Sequence, residues 1–307
     1  MSGPRNEGTS LEVSWLADLH VDDGSTRAAA PELETRAAAH GERERRLRLA
    51  IGLLDLTTLN ETDTDVTVRE LCAQAVRPVP APRGGHDAET GPPHVAAVCV
   101  FDRLVPAARE ALAGQDVRVA AVAGGFPHPH PDRERRLEEV RKAVEAGADE
   151  IDAVITRDHA LEGDWEALYE EVRDLRRACG RALLKAILAA GDLGSLDTVA
   201  RAGLACCMAG ADFIKTSTGR ERINATLPIG MAMSAAIRRY HERSGHEVGL
   251  KAAGGIRTSE QALAWLQLAE EELGGEDALT PTRLRIGASS LLERLREGLS
   301  GSFTPQE

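Results

Sequence analysis

ADFIKTSTG (residues 211–219) and VGLKAAGG (residues 248–255) share one design: a short apolar run, a single lysine inside it and a glycine-bearing turn at its end. Apolar residues on both faces suit a parallel strand covered by helices, where neither side meets water. Six more runs of this kind surround the two. They are AIGLLDLT (50–57), VAAVCVF (95–101), VRVAAVAGG (117–125), EIDAVIT (150–156), ALLKAIL (182–188) and RLRIGASS (283–290). Segments between them carry helix periodicity: PDRERRLEEVRKAVEAGA (131–148) opens on Pro-Asp, spaces its apolar positions helically and stops at glycine. Eight βα units in succession imply a closed (β/α)8 barrel of the TIM type, with its chemistry at the C-terminal mouth of the strands. A doubly wound open sheet is the competing architecture.

The barrel is expected over 47–300. Residues 1–46 are charged, alanine-rich and interrupted by Gly24 and Pro31, which reads as a mobile start with one or two surface helices, an N-terminal helical extension. Residues 301–307 read as a flexible tail. RPVPAPRGGHDAETGPPH (77–94) reads as an exposed loop and not a domain boundary, because the strand and helix rhythm continues on both sides.

Composition removes several function classes. The chain has 307 residues, 37 Lys+Arg against 49 Asp+Glu, and a net charge of −12, with its arginines scattered among glutamates. Nucleic acid and anionic membrane are therefore poor partners. An aromatic content of 3% argues against stacking platforms for single strands or glycans. Five cysteines, two of them adjacent at Cys206 and Cys207, match neither a secreted disulfide framework nor a metal-ligand spacing, and point to a reducing cytoplasm. MSGPRNEGTS (1–10) has no apolar core, and no apolar run approaches the roughly 18 residues that span a bilayer. A homo-oligomer is compatible with all of this.

The chemistry is carried by charged residues inside the strands. Period-two geometry puts Phe213, Lys215 and Ser217 on one face of the sixth run and groups Gly249, Lys251 and Ala253 on the seventh. A lysine removed from water, with a second ammonium nearby, loses preference for its charged form and becomes an amine able to attack a carbonyl. The competing reading is that each lysine snorkels out and caps its strand. Lys185, in LLKAIL, is a rival nucleophile that chemistry alone does not rank below Lys215. Asp152 is either a salt-bridge partner for a lysine or a general acid/base working through water. Asp55 ends the first run as a turn residue, a helix cap or a site carboxylate.

Cys99 and Thr216, with Asp55 and Lys185, complete the candidate substrate contacts, although Cys99 also fits as a small apolar residue. His128 and His130, in FPHPHP, lack a third ligand and read as loop histidines, so no metal is expected. Gly254–Gly255 and Gly287–Ser290 follow the last two runs, where many barrels bind phosphate on bare N–H groups and a helix N-terminus. Ser289 and Ser290 serve equally well as N-caps of the helix that follows.

DLTTLNETDT (55–64), EIDAVI (150–155), LLKAILAAGDLG (183–194), DFIKTSTG (212–219), GLKAAGGIRT (249–258) and RIGASSLL (285–292) together resemble the deoxyribose-phosphate aldolase family, class I aldolases on a (β/α)8 barrel. The likeness runs from about Leu49 to about Leu292, and SWLADLHVD (14–22) and GDWEALYEEVRDLRRACG (163–180) are similar to its longer, animal-type branch. The resemblance implies Lys215 as the Schiff-base lysine, Lys251 as the group that lowers its pKa and handles protons, and Asp152 as proton donor and acceptor. It implies a phosphate pocket at Gly219, Gly254, Gly255, Gly287, Ser289 and Ser290.

The expected reaction is retro-aldol cleavage of 2-deoxy-D-ribose 5-phosphate in deoxyribonucleoside breakdown, with a small phosphorylated aldehyde sugar as partner. No cofactor is expected beyond the covalent lysine imine. Three positions depart from the family pattern: Ala252 where proline is common, Arg220 where lysine is usual, and a C-terminal SGSFTPQE without the tyrosine some members use in proton transfer. Another Schiff-base aldolase or transaldolase on a phosphosugar is the nearest alternative. A non-catalytic phosphosugar-binding scaffold is the next.

Overall fold

Eight strands, each too apolar to face water on either side, close on one another in chain order: β1 (Leu54–Thr57), β2 (Ala97–Phe101), β3 (Arg118–Val122), β4 (Glu150–Val154), β5 (Leu183–Ile187), β6 (Phe213–Lys215), β7 (Gly249–Ala253) and β8 (Leu284–Ala288). Every pairing is parallel, and β8 pairs with β1 to complete the barrel. This computed structural model describes residues 5–79 and 94–300. The loop expected at 77–94 falls outside the described residues for 80–93, and so does the tail expected at 301–307.

Helices follow the strands and cover them, and their starts are set by side chains. Asp132 accepts from the N–H of Arg135 at 3.1 Å to open the helix Arg133–Glu145, which buries Leu137, Val140 and Ala143 against the barrel. Thr258 and Gln261 form a reciprocal capping box at the start of the helix Ser259–Leu273. The first apolar run divides differently from its sequence reading. Ala50 to Gly52 finish the helix Arg43–Gly52, and the strand begins only at Leu54. Buried Arg46, Leu47, Ala50 and Ile51 recur at helical spacing, so the run joins a helix end to a strand start.

Two helices, Val13–Ala17 and Asp23–Ala39, lie in the N-terminal 46 residues, and the helix Arg43–Gly52 runs across residue 46. Leu16, Leu33 and Ala37 enter the main core. Asn6 is buried near the N-terminal ends of the strands. Its side chain donates to the carbonyls of Cys207 and Ala211 at 2.8 and 2.9 Å and accepts from the Tyr240 hydroxyl at 2.8 Å.

Inside the barrel, Phe213 fills the space that Gly249, its register partner on β7, leaves empty, and the Arg285 guanidinium carbon lies 5.5 Å from the Phe213 ring centroid. A Cβ on Gly249 would sit 2.2 Å from that ring. Gly249→Ala is therefore expected to cost about 2–3 kcal/mol through overpacking, read as a lower urea midpoint; an unchanged midpoint would mean that the ring has room to move.

Candidate active site

Strand alternation turns one set of charged side chains inward, and together they build a layer of ions across the barrel. Asp55 comes from β1, Glu150 and Asp152 from β4, Lys185 from β5, Lys215 from β6, Lys251 from β7 and Arg285 from β8, all buried. The facing wall, Ala97 and Cys99 on β2 with Ala120 and Val122 on β3, forms a small apolar cluster separate from the main core. Register fixes who meets whom: Asp152 lies beside Lys185, Lys215 beside Lys251 and Lys251 beside Arg285.

Asp152 is the hub. Its Oδ2 accepts from Lys215 Nζ at 2.8 Å and from Lys251 Nζ at 2.7 Å, while its Oδ1 accepts from Lys185 Nζ at 2.8 Å. Lys185 has a second carboxylate, Glu150, at 2.5 Å, and Lys251 has Asp55 at 2.5 Å. Arg285 closes the network against Asp55 at 2.5 Å and Glu150 at 2.7 Å. Lys215 alone among the three lysines has a single carboxylate partner within salt-bridge distance among the described residues.

That asymmetry decides the charges. Burial draws the Lys215 amine below its ordinary pKa; Asp152 opposes this and the Lys251 ammonium adds to it. Burial acts on Lys251 in the same direction, but Asp152 and Asp55 outweigh it and hold its proton more tightly than usual. Lys185 is likewise raised, its burial overcome by Asp152 and Glu150. Burial would raise Asp152, yet the ammonium groups of Lys185, Lys215 and Lys251 keep it well below the usual carboxylate range. Four buried cations face three buried carboxylates, so this layer is electrically neutral when one lysine has lost its proton.

Above this layer the strand ends frame a cleft of about 340 Å³ that reaches Lys215 and Lys251. Its rim contains Gly219, Gly254, Gly255, Gly287, Ser289 and Ser290. Gly254 and Gly255 take left-handed backbone conformations, φ 86° and 83°, which glycine adopts without strain. Ser289 and Ser290 are exposed, and the Ser290 side chain makes no capping bond to the helix Leu291–Leu299. Their hydroxyls remain available to a ligand beside that helix N-terminus.

Other candidates lie elsewhere in the fold. Thr216 is spent on β7: its hydroxyl donates to the Ala253 carbonyl and accepts from the Ala253 N–H, both at 3.0 Å. Asp55 and Lys185 lie in the buried ion layer and not on the rim of the cleft. Cys99 Sγ lies 4.0 Å from Asp152 Oδ2, and burial raises its thiol pKa, which leaves it a neutral, space-filling group. His128 Nδ1 lies 3.1 Å from an Arg157 guanidinium nitrogen, and His130 Nδ1 accepts from the Asp132 N–H at 3.0 Å. Ala252 belongs to the main core, on the opposite side of β7 from Lys251, so its departure from proline lies outside the cleft. Arg220 donates to the Leu59 carbonyl at 2.8 Å, bridging two loops of the rim.

Glu150 and Arg285 were absent from the sequence-based candidates. Their signal was nonetheless there: each is a charge inside an apolar run and stands two residues from another site position, Asp152 or Gly287. A larger cavity of about 710 Å³ opens at the opposite end of the barrel, where His94, Arg118, Asp212, His246 and Arg283 precede or begin strands. In this architecture that end serves stability and not turnover.

Comparison with known proteins yields a consistent set of likenesses. The family described as DeoC/LacD family aldolase matches residues 49–296. A mouse deoxyribose-phosphate aldolase is 47% identical over 289 residues, covering 93% of this chain and 91% of the mouse protein. The human enzyme of that name is 45% identical, covering 94% and 91%. The crystal structure of a putative deoxyribose-phosphate aldolase from Coccidioides immitis superposes with a TM-score of 0.66 at 26% identity, covering 90% of this chain and 98% of the fungal one.

Proposed function

Because the chain belongs to the DeoC/LacD family of aldolases and is thus a carbon–carbon lyase, we propose that it cleaves 2-deoxy-D-ribose 5-phosphate reversibly to D-glyceraldehyde 3-phosphate and acetaldehyde, with Lys215 as the imine-forming residue. Neutral Lys215 attacks the C1 aldehyde of the open-chain sugar. Loss of water from the carbinolamine gives an iminium, an electron sink two bonds from the carbon–carbon bond that breaks. A base takes the C3 hydroxyl proton, the C2–C3 bond cleaves to release glyceraldehyde 3-phosphate, and its electrons form the enamine. Protonation of the enamine at C2 and hydrolysis then release acetaldehyde and restore the amine.

One observation carries this reading: a single oxygen, Asp152 Oδ2, accepts from both Lys215 and Lys251, while only Lys215 has its pKa drawn down. A carboxylate held so acidic is a weak base by itself. It serves better as a conductor, passing a proton between the Lys215 side and Lys251 through two hydrogen bonds of 2.8 and 2.7 Å. The glycine turns and the two exposed serines on the rim suit the phosphate, at the far end of the sugar from the aldehyde. The five free, buried cysteines suit a reducing cytoplasm.

Borohydride reduction in the presence of acetaldehyde, followed by peptide mass mapping, tests the assignment. The expected product is N-ethyl-lysine at position 215. An adduct at Lys185 would reassign the nucleophile, and no adduct on folded protein would remove the Schiff-base mechanism.

A further inference from the structure

Two members of the buried ion layer, Arg285 and Glu150, do not line the cleft that reaches Lys215. Arg285 is 1% exposed, and its planar fork is fully engaged. Nη1 donates to Asp55 Oδ1 at 2.5 Å and to Glu150 Oε2 at 3.3 Å, Nη2 donates to Glu150 Oε1 at 2.7 Å, and Nε donates to the Pro281 carbonyl. Its guanidinium lies against Phe213, two residues before Lys215 on the same face of β6. A guanidinium keeps its charge at any pH the protein survives, whereas a lysine's charge is adjustable. Asp55 and Glu150 therefore each divide their charge between Arg285 and one lysine, Lys251 at 2.5 Å and Lys185 at 2.5 Å.

We infer that Arg285 and Glu150 are positioning residues that set how many protons the three lysines hold, Arg285 by keeping the layer one proton short and Glu150 by holding Lys185 charged. The inference rests on the reading of Lys215 as the imine-forming amine. The groups linked to Lys215 are Asp152 directly, Lys251 and Lys185 through Asp152, Asp55 and Glu150 through those lysines, and Arg285 through those carboxylates, with the Cys99 thiol beside them. Without Arg285, three carboxylates can hold three ammonium groups, and the Lys215 amine, the strongest base left unprotonated, takes up the proton. Without the Glu150 charge, two carboxylates face four cations, and Lys215 gives up its proton more readily. Lys185 then still has Asp152 and Asp55 within salt-bridge distance, against Asp152 alone for Lys215, so the order of the two lysines stands.

The test follows two readings against pH in the wild type, Arg285→Met and Glu150→Gln: reductive trapping of acetaldehyde at Lys215 with cyanoborohydride, and the acid limb of kcat/KM. Arg285→Met is expected to move both midpoints up by about one pH unit and Glu150→Gln to move both down by about one. Loss of packing would lower the rates without driving the midpoints in opposite directions. Arg285→Lys restores the charge without the fork, and it should keep the wild-type midpoint even as turnover falls.

Midpoints that stay in place, or that move the same way in Arg285→Met and Glu150→Gln, would overturn the inference. So would an Arg285→Lys midpoint displaced as far as that of Arg285→Met. Glu150→Gln keeps the shape of the side chain and leaves Arg285 bonded to Asp55, so it carries the test alone if Arg285→Met does not fold. A wild type that gives no Lys215 adduct at any pH would count against the proposed reaction, whereas a Lys215 adduct with unmoved midpoints in the variants would count against Arg285 and Glu150 alone.

Discussion

Lys215→Met should lower kcat/KM by at least about four orders of magnitude and abolish the borohydride-trapped adduct, while leaving a folded barrel. The loss is large because no neighbouring amine can take over. Lys185 is raised in pKa and held by Glu150 and Asp152, and Lys251 is raised and held by Asp55 and Asp152. Either one would have to release a proton that at least two carboxylates retain.

The fold survives for the same electrostatic reason. Removing Lys215 leaves three cations facing three carboxylates, and Asp152 keeps hydrogen bonds to Lys185 and Lys251. Methionine occupies similar volume with a flexible apolar chain. A circular-dichroism melt should therefore shift by no more than about 4 °C, the equivalent of roughly 1–2 kcal/mol in a protein of this size. Turnover above about one per cent of the wild type would mean that another amine forms the imine.

How far the sequence reaches is visible at individual residues. The barrel was legible because its parallel strands are apolar on both faces and separated by helices with clear caps, as at Asp132 and Thr258. The start of β1 was not, because Ala50 and Ile51 are as apolar as a strand while sitting on the buried side of a helix end. Lys215, Lys185 and Asp152 stood out as charges in apolar runs, yet the residues alone left Lys215 and Lys185 tied. The electrostatic difference between them comes from register: β5 sets Lys185 directly beside Asp152 and within reach of Glu150, whereas β6 leaves Lys215 with Asp152 alone. Strand order and stagger are properties of the closed barrel, which no local pattern encodes. Thr216 is a different case. It counted among the candidate substrate contacts although strand alternation already sets it on the face away from Lys215, and its hydroxyl bonds the Ala253 backbone.

Lys251→Leu should reduce kcat/KM at neutral pH by about two to three orders of magnitude, with a loss that depends on pH. In the proposed mechanism Lys215 attacks as the neutral amine, so the rate is expected to rise with pH until it passes the Lys215 pKa and then level off. The Lys251 ammonium lowers that pKa. Its removal must raise it, so the acid limb of the profile moves to higher pH, by about one unit for each 1.4 kcal/mol of lost repulsion. The deficit relative to the wild type should accordingly be greatest on the acid side and shrink as the solution becomes alkaline. The fold has little reason to fail, since Asp55 keeps Arg285 at 2.5 Å and Lys185 at 3.6 Å after Lys251 is gone.

A profile of kcat/KM between about pH 5 and pH 10 therefore separates the two parts assigned to Lys251. The part of the loss that alkali restores measures its effect on the Lys215 proton. The part that persists measures the proton path through Asp152 Oδ2, which ends at an apolar side chain in the variant. A variant with the wild-type rate and the wild-type acid limb would mean that the two lysines, though they share an oxygen, do not work as a pair.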